Sequence, residues 1–164
     1  MGGRADRKGF WKGMKIYVLN GPNLNMLGIR EPAHYGNTTY AQLVEMLEGH
    51  GQKIDAEVIC RQTNHEGVLV DWIQEAYFEG ADGIVINPGA YTHTSIALLD
   101  ALKSVCIPTV EVHISKVEER EDFRQVSYLR AACVKTIAGH GVAGYAEAMD
   151  FLRSLADNGG SVCK

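Results

Sequence analysis

Two residues whose types could do proton chemistry, Arg30 and Tyr35, stand in the segment LGIREPAHYG, framed by glycines and a proline that can act as hinges. A phenol loses its proton at about pH 10, but an adjacent guanidinium favours the phenolate. The pair could therefore supply a general base near neutral pH. The spacing alone leaves open a tyrosine that only packs in the loop.

A carboxylate and an imidazole stand two residues apart in the segment EVHIS, as Glu111 and His113. Strand alternation places both on one face of a segment whose other positions are apolar. Burying them is costly unless they pair or meet a ligand. A carboxylate that orients an imidazole suits it to act as a general acid, and a purely structural ion pair is the alternative.

A third polar cluster is the segment NPGAYTHTS, which contains Asn87, His93 and Ser95. It combines an amide, an imidazole, hydroxyls and the start of a helix, whose free N–H groups favour anions. The cluster favours binding of a carboxylate or phosphate, although Asn87 and Ser95 could each merely satisfy a turn and a cap. Arg120 and Arg124 follow in KVEEREDFR, a mixed-charge run of a kind that usually lies on a solvated surface.

The elements that must position these groups alternate between two periodicities. Short apolar runs predict five strands, at residues 15–20, 56–61, 83–87, 108–114 and 134–138. Helical periodicity separates the strands: one helix begins after Thr39 with a capping box to Gln42, and the next is capped by Asn64 and ended by Gly80. Two more helices are predicted, over residues 95–102 and 142–155.

This alternation predicts an α/β fold, a single domain with a doubly wound, five-stranded parallel sheet of flavodoxin-like order 2-1-3-4-5. Ligands in such sheets bind beyond the carboxyl ends of the strands, near the point between strands 1 and 3 where the order reverses. The three polar clusters follow strands 1, 3 and 4. The first lies in a connection of about 18 residues where two to six is typical, which favours a lid or binding loop.

Composition limits the partners. The 164 residues carry a formal charge of −4, which argues against binding nucleic acid or an anionic membrane. Residues 1–13 form a basic leader, so residues 14–157 are assigned to the catalytic domain and 158–164 to a tail.

No apolar stretch is long enough to span a bilayer. Four cysteines without a CxxC spacing favour reduced thiols in the cytoplasm, three of them in the core.

Two further site types are weakly supported. The segment GHGVAG matches a dinucleotide-binding pattern, but no second strand with an acidic residue follows it, so tight turning and close helix packing are expected there. The histidines have no metal-ligand spacing, and no metal is expected. A non-catalytic flavin- or nucleotide-binding module on the same fold is an alternative function.

The segments NGPNLNMLGIREPAHYG, NPGAYTHTSIALLDAL, EVHIS with REDFR, and GHGVAGY together resemble the type II 3-dehydroquinate dehydratases, in order over residues 14–152. The resemblance implies the flavodoxin-like fold already predicted. It also implies dehydration of 3-dehydroquinate to 3-dehydroshikimate in the shikimate pathway, without metal or cofactor. An isomerase or lyase that acts on a different cyclic hydroxy-ketone is the alternative enzyme. A homo-oligomer, a dodecamer of trimers, is implied as well.

The resemblance also assigns roles. Tyr35 is the base, Arg30 keeps it reactive, Asn23 stabilises the enolate, and His113, oriented by Glu111, protonates the departing hydroxyl. The residues implied in substrate binding are Asn87, His93, Asp100, Ile114, Ser115, Arg120 and Arg124. Among them Asp100 is expected to reach a neighbouring subunit's site, Arg120 to contact the lid, and Ile114 and Ser115 to meet the substrate carboxylate.

Overall fold

The computed structural model describes residues 13–29, 33 and 36–160. Two predicted site residues, Arg30 and Tyr35, lie outside the described residues. Within them no helix is long and apolar enough to cross a membrane. The first strand begins at Met14, where the catalytic domain was predicted to start.

In the part of the chain that the structure describes, five parallel strands alternate with the four predicted helices. The strands are β1 (Met14–Asn20), β2 (Ala56–Gln62), β3 (Gly83–Asn87), β4 (Thr109–His113) and β5 (Lys135–Ala138). The helices are α1 (Tyr40–Lys53), α2 (Glu66–Phe78), α3 (Ile96–Val105) and α4 (Ala143–Asp157). The sheet order β2-β1-β3-β4-β5 confirms the predicted topology.

The central strands are buried because helices cover both faces of the sheet. Val18, Val85 and Val112 point to one face, where they pack with residues of α1 and α4. Leu19 and Ile86 point to the other face, where α2 and α3 cover them. This arrangement explains the almost uninterrupted apolar runs of β1 and β3.

The register brings the polar ends of the central strands together. Asn20 at the end of β1 is opposite Asn87 at the end of β3, and Gly21 donates its backbone N–H to the carbonyl of Asn87 at 2.8 Å. A Cβ atom at position 21 would collide with the carbonyl of Pro88, so only glycine allows this approach. The loops after β1 and β3 therefore meet at one edge of the sheet.

The helix starts confirm two of the three sequence interpretations. Thr39 and Gln42 form the predicted capping box of α1. Ser95 accepts the backbone N–H of Leu98 at 3.0 Å and caps α3. The N-cap of α2 is His65, so the prediction that Asn64 caps this helix is wrong.

The crossover from β4 to β5 differs from the other crossovers because its described residues contain no α-helix. Three 3-10 turns replace it, at Val117–Glu119, Asp122–Arg124 and Leu129–Ala132. In the GHGVAG segment Gly139 and Gly141 have positive φ angles, and Gly144 packs against Ile137. Tight turning and close packing were the expected roles of these glycines.

The cysteines depart in part from the sequence interpretation. Cys60 and Cys133 are free, half-buried thiols. Cys106 is exposed and disulfide-bonded. The prediction of a reduced core cysteine is wrong at this position, because Cys106 ends α3 in a left-handed conformation with φ 53° instead of packing inside.

Candidate active site

A cavity of about 220 Å³ opens beyond the carboxyl ends of β1, β3 and β4. Eight of the twelve predicted site residues line it: Asn23, Asn87, His93, His113, Ile114, Ser115, Arg120 and Arg124. Asn87 and His113 end β3 and β4, and the others lie in the loops that follow β1, β3 and β4. The parallel register brings all of them to the same edge of the sheet. The predicted position of the ligand site, next to the point where the strand order reverses, coincides with this cavity.

The wall of the cavity contains a buried carboxylate–imidazole pair. Glu111 is 0% exposed, and its Oε1 lies 2.6 Å from Nε2 of His113, which is 7% exposed. An ionised carboxylate can only accept, so Nε2 carries a hydrogen and donates it. Nδ1 is then the ring nitrogen that can serve a ligand in the cavity.

Two residues from the β4–β5 crossover also contact the Glu111 carboxylate, one at each oxygen. Ser127 donates its hydroxyl to Oε2 at 3.0 Å, and Nη2 of Arg130 lies 3.8 Å from Oε1. The backbone N–H of Arg130 in turn donates to the Ser127 hydroxyl at 3.3 Å. The carboxylate is thus fixed from both sides, which fixes the plane of the His113 ring.

These contacts decide the ionisation of Glu111. Burial raises the pKa of the Glu111 carboxyl, but the hydrogen bond and charge of His113, with Ser127 and Arg130, outweigh burial and hold the pKa below its ordinary value. The carboxylate therefore keeps its negative charge beside His113 throughout the neutral range.

The lowered pKa of Glu111 predicts an acid-sensitive contribution to stability. Its stabilisation is complete above the unfolded-state pKa of about 4.3 and is lost as the pH falls through the lower folded-state pKa. The free energy of unfolding, measured with urea from pH 7 downward, should fall more steeply below about pH 5 in the unaltered protein than in Glu111→Gln. Glu48→Gln, at an exposed position, is the matched control. Parallel curves for the unaltered protein and Glu111→Gln would contradict this assignment.

His93 faces the cavity in a defined tautomer. Its Nδ1 lies 2.7 Å from the carbonyl oxygen of Val126, so Nδ1 donates and Nε2 can accept. Burial lowers the pKa of His93, and the positive charges of His113 and Arg124 lower it further, which outweighs the opposing effect of the Val126 carbonyl. A neutral imidazole that accepts a hydrogen bond suits a ligand hydroxyl.

The turn that contains Asn23 is braced by Asn64. Asn23 adopts a left-handed conformation with φ 69°, and its backbone N–H donates to Oδ1 of Asn64 at 3.0 Å. Gln62 donates to the same oxygen at 3.1 Å, and the hydroxyl of Tyr91 donates to the Asn64 carbonyl at 2.8 Å. Asn64 therefore joins the loops after β1 and β3 instead of capping a helix.

Two arginines carry positive charge into the cavity from the β4–β5 crossover. Arg124 donates from Nε to Glu121 at 2.7 Å, and Nε of Arg120 lies 3.9 Å from the same carboxylate. The carbonyl of Ile114 accepts the backbone N–H of Gly141 at 3.1 Å, which fixes the start of this crossover. Arg124 ends one 3-10 turn and Arg120 directly follows another, so both line the cavity and neither lies on the face of a solvated helix.

The protein-family comparison identifies the chain's relatives. The family model described as dehydroquinase class II matches residues 14–153. The chain belongs to the class II dehydroquinase family. A 3-dehydroquinate dehydratase of Clostridium perfringens is 52% identical over 141 residues, covering 86% of this chain and 98% of that protein.

Two solved structures of class II dehydroquinases agree with this membership. The type II dehydroquinase of Butyrivibrio crossotus is 56% identical and superposes with a TM-score of 0.84, over 85% of this chain and 97% of that chain. The enzyme of Propionibacterium acnes is 42% identical with a TM-score of 0.83, over 87% and 99% of the two chains. The family resemblance and the fold predicted from the sequence are both confirmed.

The structure places some of the predicted residues away from the cavity or does not describe them. Asp100 is exposed on α3 and does not line the cavity of its own chain. Tyr35 and Arg30 lie outside the described residues, but Ala33 and Gly36 of the same loop line a second cavity together with Ser115. Across the described residues, no group of three or more metal-ligating side chains comes together.

Proposed function

We propose that the chain catalyses the dehydration of 3-dehydroquinate to 3-dehydroshikimate, a step of the shikimate pathway. Membership of the class II dehydroquinase family supports the reaction. The observation that carries the proposal is the buried Glu111–His113 pair at the wall of a cavity lined by every predicted binding residue except Asp100. The chemistry needs a base beside a ketone and an acid at the departing hydroxyl, and no cofactor.

The first step assigns the base to Tyr35. Its phenolate, favoured by the Arg30 guanidinium, takes the proton from the carbon next to the substrate ketone. The electron pair of the broken C–H bond moves onto the ketone oxygen, and Asn23 at the cavity stabilises this enolate. Closure of the loop over the cavity would exclude water and strengthen these charge interactions.

The second step assigns the acid to His113. The enolate collapses to a conjugated enone, the C–O bond to the neighbouring hydroxyl breaks, and Nδ1 of His113 gives that hydroxyl its proton, so water leaves. Glu111 holds the ring through Nε2 at 2.6 Å and stabilises the charged imidazole that must precede transfer. Tyr35 then loses its proton to solvent and Nδ1 of His113 takes one up, which returns both groups to their starting states.

The remaining cavity residues are assigned to binding. His93 accepts a hydrogen bond from a ring hydroxyl through Nε2, and Arg124 donates to ring hydroxyls beside it. The substrate carboxylate meets the backbone and hydroxyl of Ile114 and Ser115, and Arg120 contacts the closed lid. Positive side chains and backbone N–H groups allow an anionic substrate despite the acidic net charge.

The proposal includes an assembly and a location. The chain forms a homo-oligomer, a dodecamer of trimers, in which the exposed Asp100 contributes to the site of a neighbouring copy. We place the protein in the cytoplasm. The free thiols of Cys60 and Cys133 support this location, whereas the disulfide at Cys106 does not. Neither nucleic acid nor a membrane is a partner. Elution of the protein as a monomer in size-exclusion chromatography would contradict the assembly.

The function is tested by adding 3-dehydroquinate to the purified protein and following the absorbance of the conjugated enone. Turnover that continues to chemical equilibrium is the expected result. Absence of turnover by the intact protein would overturn the proposal. A bound chromophore in the purified protein would support a flavin-binding module instead.

Removal of metal ions should not change the rate, because the proposed steps use only side chains and backbone groups. The rate should stay within experimental error after extended dialysis against a chelator. A loss that added divalent metal restores would contradict the assignment of both proton transfers to Tyr35 and His113.

The brace at Asn64 predicts an effect on activity that a helix cap would not give. Asn64→Ala should lower kcat/KM about tenfold, because it releases the turn that carries Asn23. Ser95→Ala, which removes a real cap, should cost about 1 kcal/mol of stability instead. Urea unfolding and steady-state kinetics of both variants check the contrast. If Asn64→Ala lost stability but kept its kinetics, the brace would have no functional role.

A further inference from the structure

A chain of buried polar side chains runs beneath the cavity from β1 through α4 to β3. Asn20 and Tyr145 are 0% exposed, and Asn87 is 4% exposed. The hydroxyl of Tyr145 lies 2.7 Å from Oδ1 of Asn20 and 2.8 Å from Nδ2 of Asn87. Tyr145 is the tyrosine of the GHGVAGY segment, and it has no role in the proton transfers described above.

Backbone groups at both ends of this row of side chains fix the direction of the two hydrogen bonds that the Tyr145 hydroxyl makes. Asn20 donates from Nδ2 to the carbonyl of Arg61 at 3.2 Å, and a carbonyl can only accept. At the other end, the backbone N–H of Gly89 donates to Oδ1 of Asn87 at 3.2 Å, and an N–H can only donate. The hydroxyl of Tyr145 must therefore donate to Asn20 and accept from Asn87.

This direction determines what Asn87 can offer to a ligand. Its Oδ1 is turned toward Gly89, and one hydrogen of its NH₂ group is given to Tyr145. The second hydrogen of the NH₂ group is left for the cavity, which Asn87 lines. Without the Tyr145 hydroxyl, the amide would lose the shorter of the two contacts that orient it and would keep only the backbone N–H of Gly89.

We propose that Tyr145, anchored by Asn20, is a positioning residue that presents the Asn87 amide as a hydrogen-bond donor to an oxygen of the substrate. The proposal rests on the dehydratase function proposed above and deepens it. Tyr145 does not touch the substrate and acts through Asn87. Because a binding contact is present in both the ground state and the transition state, its loss affects KM more than kcat.

The test is Tyr145→Phe, which keeps the ring and removes the hydroxyl. With 3-dehydroquinate as substrate, KM should rise about tenfold while kcat stays within about threefold. Tyr17→Phe is the matched control, since Tyr17 is 2% exposed and its hydroxyl donates to Glu75 on the other face of the sheet. The control should keep the KM of the unaltered protein.

A double-mutant cycle separates positioning from a general loss of packing. In an Asn87→Ala background, Tyr145→Phe should change KM by less than about twofold, because the amide that it positions is gone. Equal effects of Tyr145→Phe in both backgrounds would overturn the proposal. A KM unchanged in the single variant would overturn it as well.

If Tyr145→Phe does not fold, Asn20→Ala tests the same proposal, because it removes the group that accepts the Tyr145 hydroxyl. The tyrosine hydroxyl then loses its fixed acceptor, and KM should rise, whereas an unchanged KM would overturn the proposal. Turnover by the unaltered protein is measured first in either case. Absence of turnover would overturn the proposed dehydratase function. Normal turnover that these variants do not change would overturn only the proposed positioning role of Tyr145.

Discussion

Replacing His113 by alanine should lower kcat with 3-dehydroquinate by about a thousandfold. A positioned general acid contributes about a hundredfold to ten-thousandfold, and because the buried contact with Glu111 at 2.6 Å positions His113, we expect an effect in the middle of that range. The KM should change much less, because the imidazole acts mainly on the departing hydroxyl in the transition state. Steady-state measurement of enone formation gives both constants.

The control for this variant is another carboxylate–imidazole pair of the same protein. Nε2 of His50 lies 2.7 Å from Asp150, but this pair connects α1 and α4 away from the cavity. His50→Ala should keep the kcat of the unaltered protein. If His113→Ala retained more than a tenth of the activity, the buried pair would be a structural ion pair, which is the alternative that the sequence left open.

The second large effect is expected for Tyr35→Phe, with kcat lowered by about a thousandfold at neutral pH. Phenylalanine keeps the ring and removes only the group that can carry the proton. A tyrosine that merely packs in the loop would therefore tolerate this change. Tyr77→Phe, at an exposed position on α2, is the control and should be fully active.

Near-full activity of Tyr35→Phe would contradict the assignment of Tyr35 as the base but would leave the dehydratase function standing. The base would then have to be another group that reaches the carbon beside the ketone. A loss of activity in both tyrosine variants would point to general damage to the fold, which far-UV circular dichroism would reveal. Selective loss in Tyr35→Phe is the outcome that supports the role of the base.

The strands and their order followed from the sequence because each buried strand is a short apolar run with a sharp end. The same logic located the cavity, since Asn87 and His113 each stand where such a run stops. Parallel strands carry their carboxyl ends to one edge of the sheet. Position along a strand was therefore enough to bring these residues together.

The supporting contacts could not be read from spacing. Tyr145 and Asn20 are 125 residues apart and meet only through the packing of α4 on the sheet. Ser127 reaches Glu111 across 16 residues of irregular chain, in a crossover without a helical period. The GHGVAGY segment drew attention to its glycines, whereas its tyrosine makes the contact with Asn87.

Asn64 shows why a correct local motif can still give the wrong assignment. An asparagine before an apolar helical pattern is a good N-cap candidate. The chain enters α2 one residue later, and the Asn64 side chain turns to Asn23 across the sheet edge. A tertiary hydrogen bond between two loops thus replaces the local one.

The assignment of proton abstraction to Tyr35 and hydroxyl protonation to His113 is tested most directly by hydrogen exchange in D₂O. 3-Dehydroquinate is incubated with His113→Ala, and NMR follows deuterium at the carbon beside the ketone. We expect His113→Ala to introduce deuterium there faster than it forms enone, since the base and the Asn23 turn remain, while Tyr35→Phe introduces none. Exchange by Tyr35→Phe at the rate of the unaltered protein, or its absence from His113→Ala alone, would contradict the assignment.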